Sequence, residues 1–194
     1  MTTLDKFEFI KSKYYYCSSW AVWAEQGESP KSNIGDLRVL DPKINPTLLS
    51  ELNPNVVLVG LNISSTSGGS VEPFRNFHSS SPRHMDYKIR YATQNTHLWG
   101  AYMTDIIKNF PERVSVKVSK YLRDNREVET ENVSFFRNEL HDIGAINPTL
   151  IAFGNDTFSI LKRNLQTDYQ ILKISHYAIT SAKKNIVNKL GKSV

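Results

Sequence analysis

Val56-Val57-Leu58-Val59-Gly60-Leu61-Asn62-Ile63-Ser64 is the stretch that decides the fold. An unbroken, β-branched apolar run predicts a strand buried on both faces, as in a parallel sheet with helices above and below. The run ends in Gly-Leu-Asn and passes into a Ser/Gly-rich loop. Ligands of open α/β sheets bind just beyond the carboxyl ends of such strands, so Asn62 stands where chemistry is expected. The same punctuation returns at Leu150-Ile151-Ala152-Phe153-Gly154-Asn155.

Around these two runs, strands and helices alternate. A helix is expected over Asp86 to Gln94, and Leu98 to Thr104 forms a second apolar segment closed by Asp105. The charged stretch from Pro111 to Thr130 reads as irregular with room for a helix. Val133, Phe136, Leu140 and Ile143 recur at spacings of three, four and three, one face of an amphipathic helix, with Gly144 at the C′ position. The third strand is expected over Thr149 to Phe153, with Asn155 or Asp156 capping the next helix. The fourth runs from Tyr169 to Ile174 and ends in Ser175-His176-Tyr177, before a last helix from about Ser181 to Leu190. Alternation of this kind predicts an α/β fold, a three-layer α/β/α sandwich around a central four-stranded parallel sheet. Tyr14 to Trp23 is an aromatic cluster expected to cover the core, with a base-stacking platform as the sharper alternative.

A chain of 194 residues, 40% hydrophobic and 11% aromatic, fits one globular domain. Residues 1–53 read as an amino-terminal cover and 54–190 as the sheet core. No apolar segment approaches the roughly 20 residues that span a bilayer. The start lacks the basic-then-apolar order of a secretory signal, so a cytoplasmic monomer is the default expectation. Cys17 is the only cysteine, which excludes an intrachain disulfide and a cysteine-ligated zinc or iron–sulfur site. His78, His84 and His97 show no metal-ligand spacing, so no metal is expected.

The net charge is +5. After Asp168 there is no acidic residue, while Lys173, Lys183, Lys184, Lys189 and Lys192 all follow it, so these lysines account for the whole excess. Such a segment suits a phosphate-binding face, or equally a solvated terminal helix.

Four strand ends thus offer polar groups at one sheet edge: Asn62, Asp105, Asn155 and His176. Each alone has a structural explanation as a turn, cap or bystander residue. Asp105 in particular could cap the segment 106–109. Phosphate-loop, dinucleotide-binding and nucleophile-elbow motifs are absent, and no spacing supports a Cys17–His176 nucleophilic pair.

Val-Gly-Leu-Asn at the first strand end, Ala-Tyr-Met-Thr-Asp-Ile-Ile-Lys at the second, Leu-Ile-Ala-Phe-Gly-Asn at the third and Ile-Ser-His-Tyr at the fourth resemble the uracil-DNA glycosylase superfamily. The flavour is that of its single-strand-selective and mismatch-type branches, over roughly residues 54 to 190. The resemblance implies a DNA-repair hydrolase that flips a base and cleaves its N-glycosidic bond, with DNA as partner and no cofactor. It casts Asn62 as the residue that orients water and His176 as the donor that stabilises the departing base. Phe74 would stack on that base, Asp105 would read its edge, and Gly60 and Leu61 would line the pocket. The loop from Tyr177 to Asn185, with Lys183 and Lys184, would meet DNA.

This chain departs from the family where Ile63-Ser64 replaces Pro-Gly and Tyr177-Ala178 replaces Pro-Ser. Asp105 stands in place of the usual asparagine. An ionised carboxylate only accepts hydrogen bonds, so uracil specificity does not carry over. A base with adjacent donors, or one read by a protonated Asp105, fits better. Two other readings stay open: a non-catalytic nucleic-acid-binding module, and an enzyme acting on a free nucleoside or nucleotide.

Overall fold

The decisive run becomes β2 (Asn53–Asn62), buried from Val57 to Leu61. Strand residues alternate between faces. Val57 and Val59 therefore enter one core with Tyr102, Leu150 and Ala152, while Leu58 joins Met103, Ile151, Phe153 and Ile174 in the other. Burying each such Val or Leu stabilises the fold by about 1.5–3 kcal/mol relative to exposure.

The computed structural model describes residues 2–64, 72–81 and 83–178. Its elements are α1 (Leu4–Tyr14), β1 (Ser18–Trp20), a 3-10 turn (Leu37–Leu40), α2 (Leu48–Glu51), β2, α3 (Tyr87–Thr93), β3 (Ala101–Ile107), α4 (Ser115–Asp124), α5 (Arg126–Asp142), β4 (Thr149–Phe153), α6 (Gly154–Leu165) and β5 (Gln170–Ile174). The expected helix from Ser181 to Leu190 lies outside the described residues.

The sheet has five strands, in the order β1-β3-β2-β4-β5. This corrects the expected count of four. The fifth is β1, from the aromatic cluster expected only as a cover. Ser18, Ser19 and Trp20 pair antiparallel with Thr104, Met103 and Tyr102. All other neighbours are parallel. Three residues are too few to show a period, and the ladder uses backbone groups that a residue carries whatever its side chain, so the strand is silent in the sequence.

From β2 the chain crosses through α3 to β3 on one side, then returns through α4 and α5 to β4 on the other. Right-handed crossovers in opposite directions require helices on opposite faces. Accordingly Ile89 and Ala92 of α3 pack in the Leu58 core, and Phe136 and Leu140 of α5 in the Val57 core. The reversal makes the carboxyl ends of β2 and β4 a topological switch point, where open α/β sheets hold their ligands.

Two further expectations change. Pro111 to Thr130, read as irregular with room for one helix, stays irregular up to Val114 and then holds two: α4 buries Val118 and Leu122, four residues apart on one face, and α5 begins at Arg126. Asp105 does not follow β3 but lies within it, so it caps no helix. The Gly144 expectation holds, with φ +74° and the Ala145 amide bonded to the Leu140 carbonyl.

Candidate functional site

At the switch point lies a cavity of about 540 Å³. Asn62, Asp105, Asn155 and His176, from four strand ends, all line it, as do Gly60, Leu61 and Tyr177. A second cavity of about 660 Å³ adjoins it and shares Ser64, Asn76, Phe77, Arg113, His176 and Tyr177. Arg75, Arg83 and His84 line that second part. Lys183 and Lys184 lie outside the described residues.

Asp105 is a buried acid at the first cavity, 4% exposed. Its β3 position places it beside Gly60 of β2 in the parallel ladder. A Cβ at residue 60 would stand 2.1 Å from Asp105 Oδ1, so glycine is what makes room for the carboxylate. Asn76 Nδ2 donates to Asp105 Oδ2 at 3.0 Å and to the Cys17 carbonyl at 2.7 Å. Burial pushes the Asp105 carboxyl up to about 6, opposed by the Asn76 hydrogen bond and the nearby Lys108 charge. Lys108 Nζ in turn donates to the Asp105 carbonyl and stands 2.8 Å from Glu139 Oε2. Glu139 Oε1 accepts from Tyr102 and Thr104, which ties β3 to α5 below the cavity.

His176 follows β5 and stacks on Tyr177 with ring centroids 4.5 Å apart. The Ala178 amide donates to His176 Nδ1 at 3.1 Å. A ring nitrogen that accepts carries no proton, so the neutral imidazole holds its hydrogen on Nε2. Burial lowers the His176 pKa, which favours that neutral form. His176 is therefore a neutral Nε2–H donor. Burial, with the carboxylates of Asp86 and Asp105 nearby, pushes the Tyr177 hydroxyl well up, so it stays a phenol.

Asn62 ends β2, and its amide nitrogen meets the carbonyls of Ile63, Phe110 and Glu112 at 3.1, 3.2 and 2.7 Å. Two amide hydrogens are thereby committed to the loop after β3. Only Oδ1 is left to act on a ligand, and it can only accept.

Gly154 adopts φ +88°, a conformation open to glycine, and turns β4 directly into α6. The sequence expectation of a cap at Asn155 or Asp156 is corrected here. Phe153 is the N-cap and no side chain bonds the first turn. Asn155 Oδ1 instead accepts from Lys173, and Asp156 Oδ2 from Ser119. With Asn155, Asp156 and Thr157 at the cavity wall, the positive end of the α6 dipole borders the site.

Phe74 is not in the cavity. It is buried in the core with its ring 5.5 Å from that of Phe7, and its amide donates to the Tyr15 carbonyl. Phe77, three residues later, is the aromatic wall of both cavities. Both phenylalanines have positive φ, +64° and +66°, a conformation costing about 1–3 kcal/mol each. In Phe-Arg-Asn-Phe the sequence offers two rings at helical spacing and no sign of which turns inward. Asn76 between them went unread for the same reason.

Cys17 is buried, its thiol pushed up by desolvation, and it lines neither cavity, so it is no nucleophile for His176. Among the described residues no group of three or more His, Cys, Asp or Glu could hold a metal ion. Nor is any described helix long and apolar enough to cross a membrane. No family model, no curated protein and no solved structure matches the chain.

Proposed function

We propose that the cleft binds a nucleobase and that the protein is a DNA glycosylase-type hydrolase with the sheet architecture of the uracil-DNA glycosylase superfamily. One observation carries the reading: Asn62, Asp105 and His176, distant in sequence, meet at one cavity at the switch point. Hydrolysis forms a bond from water oxygen to C1′ of the sugar. The N-glycosidic bond breaks with its electron pair passing to the base, and the proton lost by water ends on the base.

Charge thus develops on the departing base, and oriented donors in a water-poor site are the largest expected catalytic effect. The Nε2–H of His176 and the uncapped end of α6 supply such donors. Asn62 Oδ1 supplies an acceptor for the attacking water. Phe77 and Tyr177 offer faces for stacking, as a flipped base requires. In the adjoining cavity Arg83 and Arg113 are exposed, and among the described residues neither pairs with a carboxylate. They suit the phosphates of a single strand entering the cleft.

The test is base release from labelled oligonucleotides carrying uracil, hypoxanthine, xanthine and oxidised guanine, with abasic sites scored by alkali cleavage. Release slowed by about 10²-fold or more in each of Asn62→Ala and His176→Ala is the expected result. Unchanged release in the double variant overturns the assignment. The amide of Asn62, clamped to three loop carbonyls, favours a second reading in which the cleft holds nucleic acid without cleaving it. Salt-sensitive retention of the same oligonucleotides with no abasic product selects that reading.

A further inference from the structure

Asp105 and Asn76 form a joined pair at the cavity wall, and the hydrogen-bond inventory of that pair is one-sided. Both amide hydrogens of Asn76 are committed, one to the Cys17 carbonyl and one to Asp105 Oδ2. Those partners are acceptors, which identifies the amide nitrogen and leaves Asn76 with only its carbonyl oxygen to offer. An ionised Asp105 has only lone pairs. A ligand edge meeting this pair therefore meets acceptors and no donor.

Common base edges answer such a surface differently. Uracil presents one N–H between two carbonyl oxygens, so one carboxylate oxygen would face an oxygen of the base. Hypoxanthine presents one N–H and a carbon-bound hydrogen. Cytosine and adenine place a ring lone pair beside their amine. Guanine alone among these sets a ring N–H next to an exocyclic amine, two donors side by side. They match the two carboxylate oxygens as a fork of parallel, charge-assisted hydrogen bonds.

We propose that the base taken by this cleft is of the guanine type, a purine carrying both N1–H and a 2-amino group, with the Asp105–Asn76 pair as its reader. The inference rests on the nucleobase-binding reading above and adds the identity of the edge. Gly60 is part of the same device, because its missing side chain is the space the carboxylate fills. A hydroxyl or amide in place of Asp105 would bring a donor and spoil the match.

The experiment compares ligands differing by the 2-amino group alone. Calorimetric binding of 2′-deoxyguanosine and 2′-deoxyinosine is measured on the full chain at pH 8, beside release of 8-oxoguanine, hypoxanthine and uracil from single strands. The expected result is binding about 10- to 100-fold tighter for the 2-amino nucleoside, the effect of one charge-assisted hydrogen bond. Asp105→Asn, which offers one donor and one acceptor, should erase that preference. Equal or reversed affinities, or faster release of hypoxanthine or uracil, overturn the guanine-type edge and leave the nucleobase site standing. Failure of every base to bind or be released overturns both proposals.

Discussion

Gly60 and Asp105 are partners across the β2–β3 ladder, and the carboxylate of one occupies the volume a side chain on the other would take. The clash from Gly60→Ala would fall on Asp105 Oδ1, the far end of a side chain, rather than on backbone. The fold should therefore accommodate alanine by turning the carboxylate aside. We expect a stability loss of about 1–3 kcal/mol, as for other overpacked cores, with base binding lost nearly as fully as in Asp105→Ala. Thermal melting beside ligand titration checks this. A Gly60→Ala protein that binds normally would show the carboxylate is not the reader.

Asp105 also makes stability depend on pH. Its folded-state pKa of about 6 lies above its ordinary value, so between pH 4 and 6 the folded chain holds a proton the unfolded chain has released. Stability falls as pH rises through that window and stays lowered above it. Asp105→Asn should consequently stabilise the protein by about 1–3 kcal/mol at pH 8 and by much less at pH 4. Parallel denaturant titrations at the two pH values decide it. Lys108, Glu139, Asp86 and Tyr177 act on the same carboxyl, so the midpoint belongs to the cluster. Binding of a donor-rich edge should strengthen as pH rises through about 6.

His176→Ala removes the Nε2–H donor and leaves the stacking walls in place. Base release should slow about 10²- to 10³-fold, the usual effect of losing one such donor, while base affinity changes far less. Single-turnover rates beside equilibrium binding separate the two. An equal loss in both would make His176 a wall and not a donor.

Below the cavity, Glu139 is fully buried and is met by Lys108, Tyr102 and Thr104. Glu139→Ala strands the Lys108 ammonium in the core and orphans two hydroxyls, which should cost about 3–5 kcal/mol. Adding Lys108→Met should recover a large part of that loss. Chemical denaturation of the single and double variants reads both effects, and no recovery would mean the pair itself is not the source of the cost.

Legibility followed burial. β2 and β4 could be read because strands covered on both faces must be apolar throughout, and the polar residue that stops each run marks the sheet edge. Asn62 and Asn155 were visible for that reason, and His176 likewise after β5. Asp105 was visible as a group but misplaced by three residues, because its burial inside β3 is possible only through Gly60, a contact across strands. β1 escaped because its contribution is backbone. Phe77 and Asn76 escaped because a loop with two residues at positive φ has no period to betray which side faces the cavity.

The Cys17 carbonyl that holds Asn76 belongs to the turn between α1 and β1. A fragment starting near residue 54 would keep all four strand-end groups, yet its Asn76 could rotate and present hydrogens where it now presents an oxygen. The first twenty residues are thus less a lid than part of the lettering. Losing them would free the Asn76 amide and would also strip Phe7, Ile10, Tyr14 and Trp20 from the core.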